Sequence, residues 1–349
     1  MPKTDNVADV AKANFQLQIL PFPKWDQWDQ FVKGSRQGTI FQTTAYIQAF
    51  AEAFQRPAEI LAVLRDQEIM GGIVIFPKSR NGLEYATSPY LIPYNGIILR
   101  DSSTDWSYYK SLKEEQKIIM LLQDELEKRF HYCEISLAND LTDIRSFVWR
   151  NWEFIPEYTA YIPLRIDSDP MNDMPHNQRR HIRKSEKENS SFREFTDSGL
   201  CYDLMAQSYR HHRIRPPIKK TEFENFAKIL LERKLSAGYA IMKGAKPLAF
   251  MMVIEDKPQV YALFSGKNFE HEHSGAELYL HWRILQLYRE KGYESFDLLG
   301  AMSLSISRVK IELGGILKRR DFARFYRYRI IRLLFKIQTF REMKKRRNL

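Results

Sequence analysis

Two stretches in different halves of the sequence have the same pattern. Residues 62–76 read AVLRDQEIMGGIVIF, and residues 240–254 read AIMKGAKPLAFMMVI. Each contains an apolar run, a cation, a polar turn and a second apolar run, which predicts a β-hairpin whose second strand is buried. A further short strand is predicted after each hairpin, at EYA (84–86) and at VYA (260–262).

The similarity continues downstream of the hairpins. Residues 127–136 (EKRFHYCEIS) and 290–299 (EKGYESFDLL) each resemble a helix end followed by a strand that carries an acid. An apolar helical spacing comes just before each of them, which predicts two amphipathic helices. The spacing is formed by Ile118, Leu121, Leu122 and Leu126 in the first half and by Leu280, Ile284, Leu287 and Tyr288 in the second. Three blocks in the same order predict an internal duplication, joined after the apolar segment 158–164.

This order of elements resembles that of the GNAT acyltransferase fold, and two such units in one chain resemble the FemAB-like transferases. That family includes the aminoacyltransferases that build peptidoglycan cross-bridges and proteins near polysaccharide pathways. The resemblance is carried by FQTTAYIQAFAEAF (41–54), NQRRHIRKSEK (177–187) and YESFDLLGAMSLSISRVKIELGG (293–315). Ala49 and Phe50 stand where we expect a lysine in members that hold a UDP-diphosphate, and the long helical arm of some peptidoglycan aminoacyltransferases is missing.

The resemblance implies an α/β (α+β) fold with two tandem GNAT-like domains, each a mixed, mainly antiparallel sheet flanked by helices. We expect the second domain to be catalytic and donor-binding and the first to support it. The predicted division is a flexible N-terminus (1–14), the first domain (15–165), the second domain (166–325) and a basic C-terminal tail (326–349).

The composition favours a folded protein of a reducing compartment. The 349 residues are 44% hydrophobic and 13% aromatic, which supports a packed core. The two cysteines, Cys133 and Cys201, are far apart, so a disulfide scaffold is not expected. The first 14 residues are polar and no apolar run is long enough to span a bilayer, so we expect neither a signal peptide nor a membrane span. A cytoplasmic location, at most peripheral to the inner membrane face, is predicted.

The net charge of +11 is concentrated at the C-terminus. Residues 318–349 include 13 basic and 2 acidic residues, so the remainder is neutral. Such an end favours an anionic partner: tRNA, a nucleotide-linked substrate or anionic lipid. In a helical tail, Ile330 and Leu333 would share one side and Arg329 and Arg332 another. Membrane contact, RNA contact and simple docking of the helix on the protein body all stay open.

Two features are candidates for binding the donor's phosphates. The segment RRHIRK places Arg179, Arg180, Arg183 and Lys184 near a helix start. Such cations suit a diphosphate or an RNA backbone, although a solvated helix face paired with nearby glutamates would look the same. Ser274 and Gly275 precede a predicted helix, whose N-terminus attracts anions. The resemblance implies that this corner holds the pyrophosphate of coenzyme A; the alternative is a capping box between Ser274 and Glu277.

The segment that follows the last core strand carries the candidate catalytic residues. Asp297 ends an apolar strand, where ligand crevices border α/β sheets, and it or Tyr261 could assist proton transfer. Ser303 could donate a hydrogen bond to the acceptor or to the oxyanion. Structural roles, such as capping a turn, explain each of these residues equally well.

Arg308 and Lys310 come next and would lie about 200° apart on a helix, so they need not share a ligand. The resemblance implies that Lys310 contacts the donor's phosphate or its acyl-bearing end. Gly314 and Gly315 permit a tight reversal of the chain. The first half has neither the lysine nor the double glycine after its corresponding strand.

The sequence thus predicts an N-acyltransferase or aminoacyltransferase that forms an amide on an amino sugar or peptide amine. The donor would be acyl-CoA or aminoacyl-tRNA, and the acceptor a nucleotide- or lipid-linked sugar or peptide. The histidines lack an established ligand spacing, so no metal is expected. The alternative hypothesis is a non-catalytic GNAT-like module that binds RNA or a lipid-linked glycan.

Overall fold

The computed structural model describes residues 15–101, 106–138, 140–141, 143–167, 169–187, 190–211, 214–270 and 275–335. The N-terminal segment 1–14, Ser274 and the tail beyond residue 335 lie outside these residues, so the predictions made for them stay predictions.

The described residues form both helices and strands. The helices are α1 (Trp25–Gly34), α2 (Thr44–Phe54), α3 (Tyr108–Arg129), α4 (Arg145–Trp149), α5 (His176–Lys187), α6 (Ser198–His211), α7 (Lys220–Glu232), α8 (Ala276–Glu290) and α9 (Leu304–Glu312). The strands are β1 (Gln16–Ile19), β2 (Glu59–Arg65), β3 (Glu68–Ile75), β4 (Pro77–Arg80), β5 (Leu83–Thr87), β6 (Ile98–Leu99), β7 (Tyr132–Ser136), β8 (Glu153–Pro163), β9 (Ser191–Glu194), β10 (Ser236–Lys243), β11 (Lys246–Asp256), β12 (Gln259–Lys267), β13 (Ser295–Gly300) and β14 (Ile316–Tyr326).

The described strands form a small sheet and a large one. The small sheet has the order β1-β2-β3-β6, and the large sheet has the order β4-β5-β7-β14-β8-β13-β12-β11-β10-β9. Pairing is antiparallel throughout, except for the parallel pairs β5–β7 and β12–β13. The predicted fold class, a mixed and mainly antiparallel α/β architecture, is confirmed.

The two predicted hairpins are present and share a local irregularity. β2 pairs with β3, and β10 pairs with β11. The register shifts between Val63 and Leu64 in the first hairpin and between Ile241 and Met242 in the second, which are equivalent positions in the two quoted stretches. A bulge at the same place in both hairpins is a feature that duplication explains directly, because bulges are specific and locally determined.

The parallel pairs also correspond, with one correction to the sequence comparison. Tyr261 lies opposite Asp297, whereas Thr87 lies opposite Glu134. Tyr261 therefore corresponds to Thr87, two residues beyond the position suggested by matching EYA with VYA. A shift of two residues keeps each side chain on the same face of the strand, so the hydrophobic pattern could not reveal it.

The halves of the chain exchange their last strands. β8, which ends the first half, pairs with β13 of the second half. β14, which ends the second half, lies between β7 and β8. The large sheet therefore runs across the predicted division at residue 165, and that division stays a prediction.

Side chains from both halves also form a common core. Phe226 of α7 packs against Tyr46, Phe50 and Phe54 of α2, with ring centroids 5.8, 6.1 and 5.4 Å apart. The opposite faces of the sheets are covered by α3 in the first half and by α8 in the second. The interface between the halves is thus an apolar core, across which side chains of both halves can meet at fixed positions.

We predict that Ala323→Glu destabilises both halves together. Ala323 is fully buried on β14 and pairs with Ile135 of β7 and Phe154 of β8. An unpaired buried carboxylate there should lower the free energy of unfolding by about 3–5 kcal/mol. Urea unfolding measures the loss, and hydrogen exchange at intermediate urea should show α3 and α8 opening together. The exposed Lys318→Gln on the same strand is the control; loss of protection in α3 alone would contradict the prediction.

Candidate active site

The parallel ladder between β12 and β13 ends at Asp297. It includes the pairs Gln259–Ser295, Val260–Phe296 and Tyr261–Asp297, after which β12 continues to Lys267 without β13 beside it. Past Tyr261, the main-chain groups of β12 on this side have no strand partner among the described residues. A gap therefore opens in the centre of the second half's sheet, and it begins at the predicted catalytic residue.

Asp297 is a buried acceptor of hydrogen bonds from three directions. The hydroxyl of Tyr94 donates to Oδ2 over 2.6 Å, and the backbone N–H of Leu299 donates to Oδ1 over 2.7 Å. Thr159 Oγ1 also donates to Oδ1. Tyr94 belongs to the first half and Thr159 to the exchanged strand β8, so the carboxylate is held by both halves of the chain. Only 6% of Asp297 is exposed.

Leu299 adopts a backbone conformation that is rare for its residue type. Its φ is 58°, in the left-handed region, and the pairing of β13 with β8 shifts register between Asp297 and Gly300. Its N–H is bonded to Asp297, and its carbonyl accepts from Lys310 Nζ over 3.2 Å. Two residues singled out in the sequence thus hold the two ends of one strained residue, at the point where the gap opens.

Lys310 reaches this point from α9. Its Nζ also donates to the carbonyls of Leu298 and Gly300, over 2.6 and 2.7 Å. Burial lowers the pKa of Lys310 to about 8, although the nearby carboxylate of Asp297 acts in the opposite direction. Arg308, two residues away, points to solvent and pairs with Glu312. The two cations therefore face different surroundings, as the helical spacing predicted.

An aromatic cluster lies beside Asp297. The ring of Phe41 is 4.9 Å from that of Tyr261 and 6.0 Å from that of Tyr94, and the two tyrosine rings are 6.0 Å apart. The hydroxyl of Tyr261 donates to Gln259 Oε1 over 2.9 Å. Burial raises the pKa of both tyrosines well above its ordinary value, so both hydroxyls remain protonated at neutral pH and keep their donor protons.

Arg320 of β14 orders the first half's contribution to the site. Its guanidinium lies 5.2 Å from the ring centroid of Tyr94 and donates to the carbonyl of Pro93 over 2.7 Å. It also pairs with Glu157 over 3.2 Å. Arg320 is only 6% exposed, so this strand residue fixes the loop that carries Tyr94.

The predicted donor-binding segments meet on one side of the second half. α5 packs against the start of α8, where a Cβ on Gly275 would lie 2.1 Å from Ser185 Oγ, so only glycine allows the contact. Gln178 of α5 donates to Glu312 of α9 over 2.6 Å. The cations of α5 lie at its surface, where the side chains of Arg180, Arg183 and Lys184 are exposed. Arg179 is half-buried, and its Nε has no hydrogen-bond partner among the described residues.

The last predicted features lie at the ends of α9. Ser303 precedes the helix, and its exposed hydroxyl is 3.1 Å from that of Ser305. Gly314 has a φ of 90° and the N–H of Gly315 donates to the carbonyl of Lys310 over 3.0 Å, which confirms the tight reversal. The roles assigned to all of these residues in binding or catalysis stay predictions.

Several residues of the site were missed in the sequence. Tyr94, Thr159 and Arg320 lie far from Asp297 along the chain, and no periodicity links them to it. The described residues contain no group of three or more metal-ligating side chains.

None of the described helices combines the length and the apolar character that crossing a bilayer requires.

Comparison of the sequence with protein families identifies the class of protein to which this fold belongs. The profile of the acetyltransferase (GNAT) domain matches residues 176–303, which include β12, α8 and β13. The predicted class, an acyltransferase with the GNAT fold, is confirmed by this match. A comparison of the sequence with curated proteins gives no match.

Solved structures show the same tandem arrangement. The chain is similar to FemX, with 13% identity and a TM-score of 0.64, over 88% of this chain and 96% of FemX. It is similar to a tandem GNAT protein from the clavulanic acid biosynthesis pathway, with 11% identity and a TM-score of 0.54, over 90% and 99% of the two chains. L-PGS from Bacillus licheniformis gives 10% identity and a TM-score of 0.52, over 92% and 96%. The resemblance to the FemAB-like fold of two GNAT units is therefore confirmed at the level of the fold.

We predict that Lys310 makes stability depend on alkaline pH. Its pKa in the folded state, about 8, lies below the ordinary value of 10.5, so the unfolded state binds more protons between these values and stability rises with pH there. Between pH 8 and 10.5, the free energy of unfolding of the wild type should rise by about 3 kcal/mol more than that of Lys310→Met. Urea unfolding at both pH values measures it, with the exposed Lys228→Met as control. A gain that is equal for the two variants would contradict the prediction.

Proposed function

We propose that this protein is an N-acyltransferase or aminoacyltransferase that forms an amide on an amino sugar or peptide amine in cell-envelope or polysaccharide biosynthesis. The donor is acyl-CoA or aminoacyl-tRNA. The observation that carries the proposal is the gap between β12 and β13, bordered by Asp297 and Lys310, inside the segment that matches the GNAT domain.

The gap suits an extended donor. Beyond Tyr261, the edge of β12 offers main-chain N–H and C=O groups with which the amide groups of an extended ligand can pair. The cations of α5 and the start of α8 lie on one side of the same half and suit the donor's phosphates. Acyl-CoA and aminoacyl-tRNA both carry an activated acyl group and, elsewhere in the molecule, phosphates, so the proposal includes both donors.

A cavity between the halves supports an acceptor with a bulky apolar or aromatic part. It has a volume of about 280 Å³ and is lined by Phe50, Phe54, Tyr90 and Leu91 of the first half, and by Ile218 and Glu222 of the second, among others. Phe50 stands here in place of the lysine expected for a UDP-diphosphate. A cation, Arg56, also lines the cavity, so lipid-linked and nucleotide-linked acceptors both belong to the proposal.

The first test separates the donors. Purified protein is incubated with acetyl-CoA or alanyl-tRNA, and the shift of Tm and the amide formed on glucosamine or glycylglycine are measured. One donor should raise Tm by several degrees, since a ligand that binds only the folded state stabilises it. The Arg180→Glu/Arg183→Glu variant should lose most of that shift, and the control Lys219→Glu/Lys228→Glu, at the N-cap of α7 and on α7, should keep it. No shift and no amide with either donor would contradict the proposed function.

We further propose peripheral contact with the inner membrane face through the C-terminus. Residues 329–335 are helical. Ile331 is buried, and Phe335 stacks on Tyr132 with centroids 4.2 Å apart, so the helix docks on the body. Ile330, Leu333 and Leu334 are 53–59% exposed, beside Arg329 and ahead of the basic residues that follow in the sequence. Exposed apolar side chains with adjacent cations suit an anionic bilayer surface.

Liposome sedimentation tests this contact. The full chain should bind vesicles containing phosphatidylglycerol, and Leu333→Ser/Leu334→Ser should bind at least about 10-fold more weakly because two inserted side chains are lost. Leu200→Ser, an exposed leucine on α6, is the control. Equal binding by the double variant and the wild type would rule out insertion of this helix, and binding to neutral vesicles alone would rule out the charge contribution.

A further inference from the structure

An ion pair between Lys267 and Glu277 joins the open edge of β12 to the start of α8. Lys267 is the last residue of β12, and its Nζ lies 3.2 Å from Oε2 of Glu277, which belongs to the first turn of α8. β12 runs from Tyr261 to Lys267 without β13 beside it. About 20 Å of extended strand therefore leads from the start of the gap to this pair.

The start of α8 offers hydrogen-bond donors to an anion. The N–H groups of the first turn of a helix have no acceptor within the helix, and the helix dipole places a partial positive charge there. Ser185 of α5 lies against this turn, since a Cβ on Gly275 would be 2.1 Å from its Oγ. Ser185 is fully buried, and its Oγ has no hydrogen-bond partner among the described residues. A buried hydroxyl of this kind is an unused polar group beside the carboxylate of Glu277.

The ion pair is one that a ligand can break at low cost. The side chains of Lys267 and Glu277 are 43% and 38% exposed, and pairs as exposed as this contribute little to stability. The ammonium of Lys267 also lies 4.8 Å from the ring centroid of Phe269, a contact that does not depend on Glu277. A phosphate, which is a stronger partner for an ammonium than one carboxylate oxygen, can therefore replace Glu277 on Lys267.

We propose that Lys267 binds a phosphate of the donor, and that Glu277 competes with this phosphate by occupying Lys267 while the donor is absent. The extended part of the donor pairs with the edge of β12 beyond Tyr261, and its phosphate reaches Lys267 at the end of that strand. This inference rests on the proposed function, since it concerns the donor of the same reaction. It assigns opposite effects to two charged neighbours: loss of the cation weakens donor binding, and loss of the anion strengthens it.

The first arm of the test uses inorganic pyrophosphate and is independent of turnover. Phosphorus-31 NMR titration of the full chain at low salt measures its Kd. Glu277→Gln should bind pyrophosphate about 3- to 10-fold more tightly, because it frees Lys267 and removes a negative charge from the start of α8. Lys267→Gln should bind it more weakly by a similar factor, and both effects should shrink at high salt. Equal Kd values for the wild type and Glu277→Gln would overturn the proposal.

The pair of Glu255 and Lys291 supplies the matched control. It has the same distance of 3.2 Å and similar exposure, 33% and 42%, and Lys291 is at the opposite end of α8. Glu255→Gln and Lys291→Gln change the net charge of the protein as much as the test variants do, and should leave the Kd for pyrophosphate unchanged. If Glu255→Gln tightened binding as much as Glu277→Gln, net charge would explain the effect and the proposal would be wrong.

The second arm replaces pyrophosphate by coenzyme A or by deacylated tRNA. One of these should bind in the same order, most tightly to Glu277→Gln and least tightly to Lys267→Gln, and that result identifies the donor. Binding by the wild type without this order for either ligand would overturn the inference and leave the proposed function standing. No binding of either ligand by any variant would contradict the proposed function instead, and the pyrophosphate titration then decides the inference.

Discussion

The position of β14 between β7 and β8 is the constraint on which the rest of the structure depends. A strand in the middle of a sheet has its main chain bonded on both sides, so β14 cannot move without breaking two ladders. Its Arg320 fixes the carbonyl of Pro93 and the ring of Tyr94, and Tyr94 in turn holds Asp297 of the other half. The strand exchange thus determines the position of the candidate catalytic carboxylate through three successive contacts.

Comparison of the two copies explains why only the second has an open gap. In both, a parallel pair ends at an acid: Asp297 in the second copy and Glu134 in the first. In the first copy, the loop after β5 returns along β7. Ser88 donates to the carbonyl of Glu134 over 3.0 Å, and Asn95 Oδ1 accepts from the N–H of Ser136 over 3.1 Å. The loop therefore occupies, in the first copy, the space that remains open beside β12, and the division into a supporting and a catalytic half stays a prediction.

The fold could be predicted from the sequence because its units are local. Each hairpin is encoded within about 15 neighbouring residues, and the pattern of apolar runs identifies it in both halves. The exchange of β8 and β14 could not be predicted, because a strand's pattern specifies which face is buried and not which strand lies beside it. The charges of Lys318, Arg319 and Arg320 made β14 resemble the start of a basic tail, yet Arg320 is buried in the site.

The candidate site was predictable in part for the same reason. Asp297 and Lys310 lie in one segment, and the end of a core strand is where ligands bind in α/β sheets. The donors to Asp297 come from Tyr94 and Thr159, which reach it only through the tertiary fold.

The two corresponding acids differ in a way that bears on chemistry. Glu134 is paired with the guanidinium of Arg324 over 2.6 Å, so its charge is neutralised within the first half. Asp297 accepts from the neutral groups of Tyr94, Thr159 and Leu299, and the nearby cation, Lys310, is bonded to three carbonyl oxygens rather than to the carboxylate. The end of β13 therefore carries a carboxylate and an ammonium that are not paired directly with each other, whereas the corresponding acid of the first copy lies in a direct ion pair.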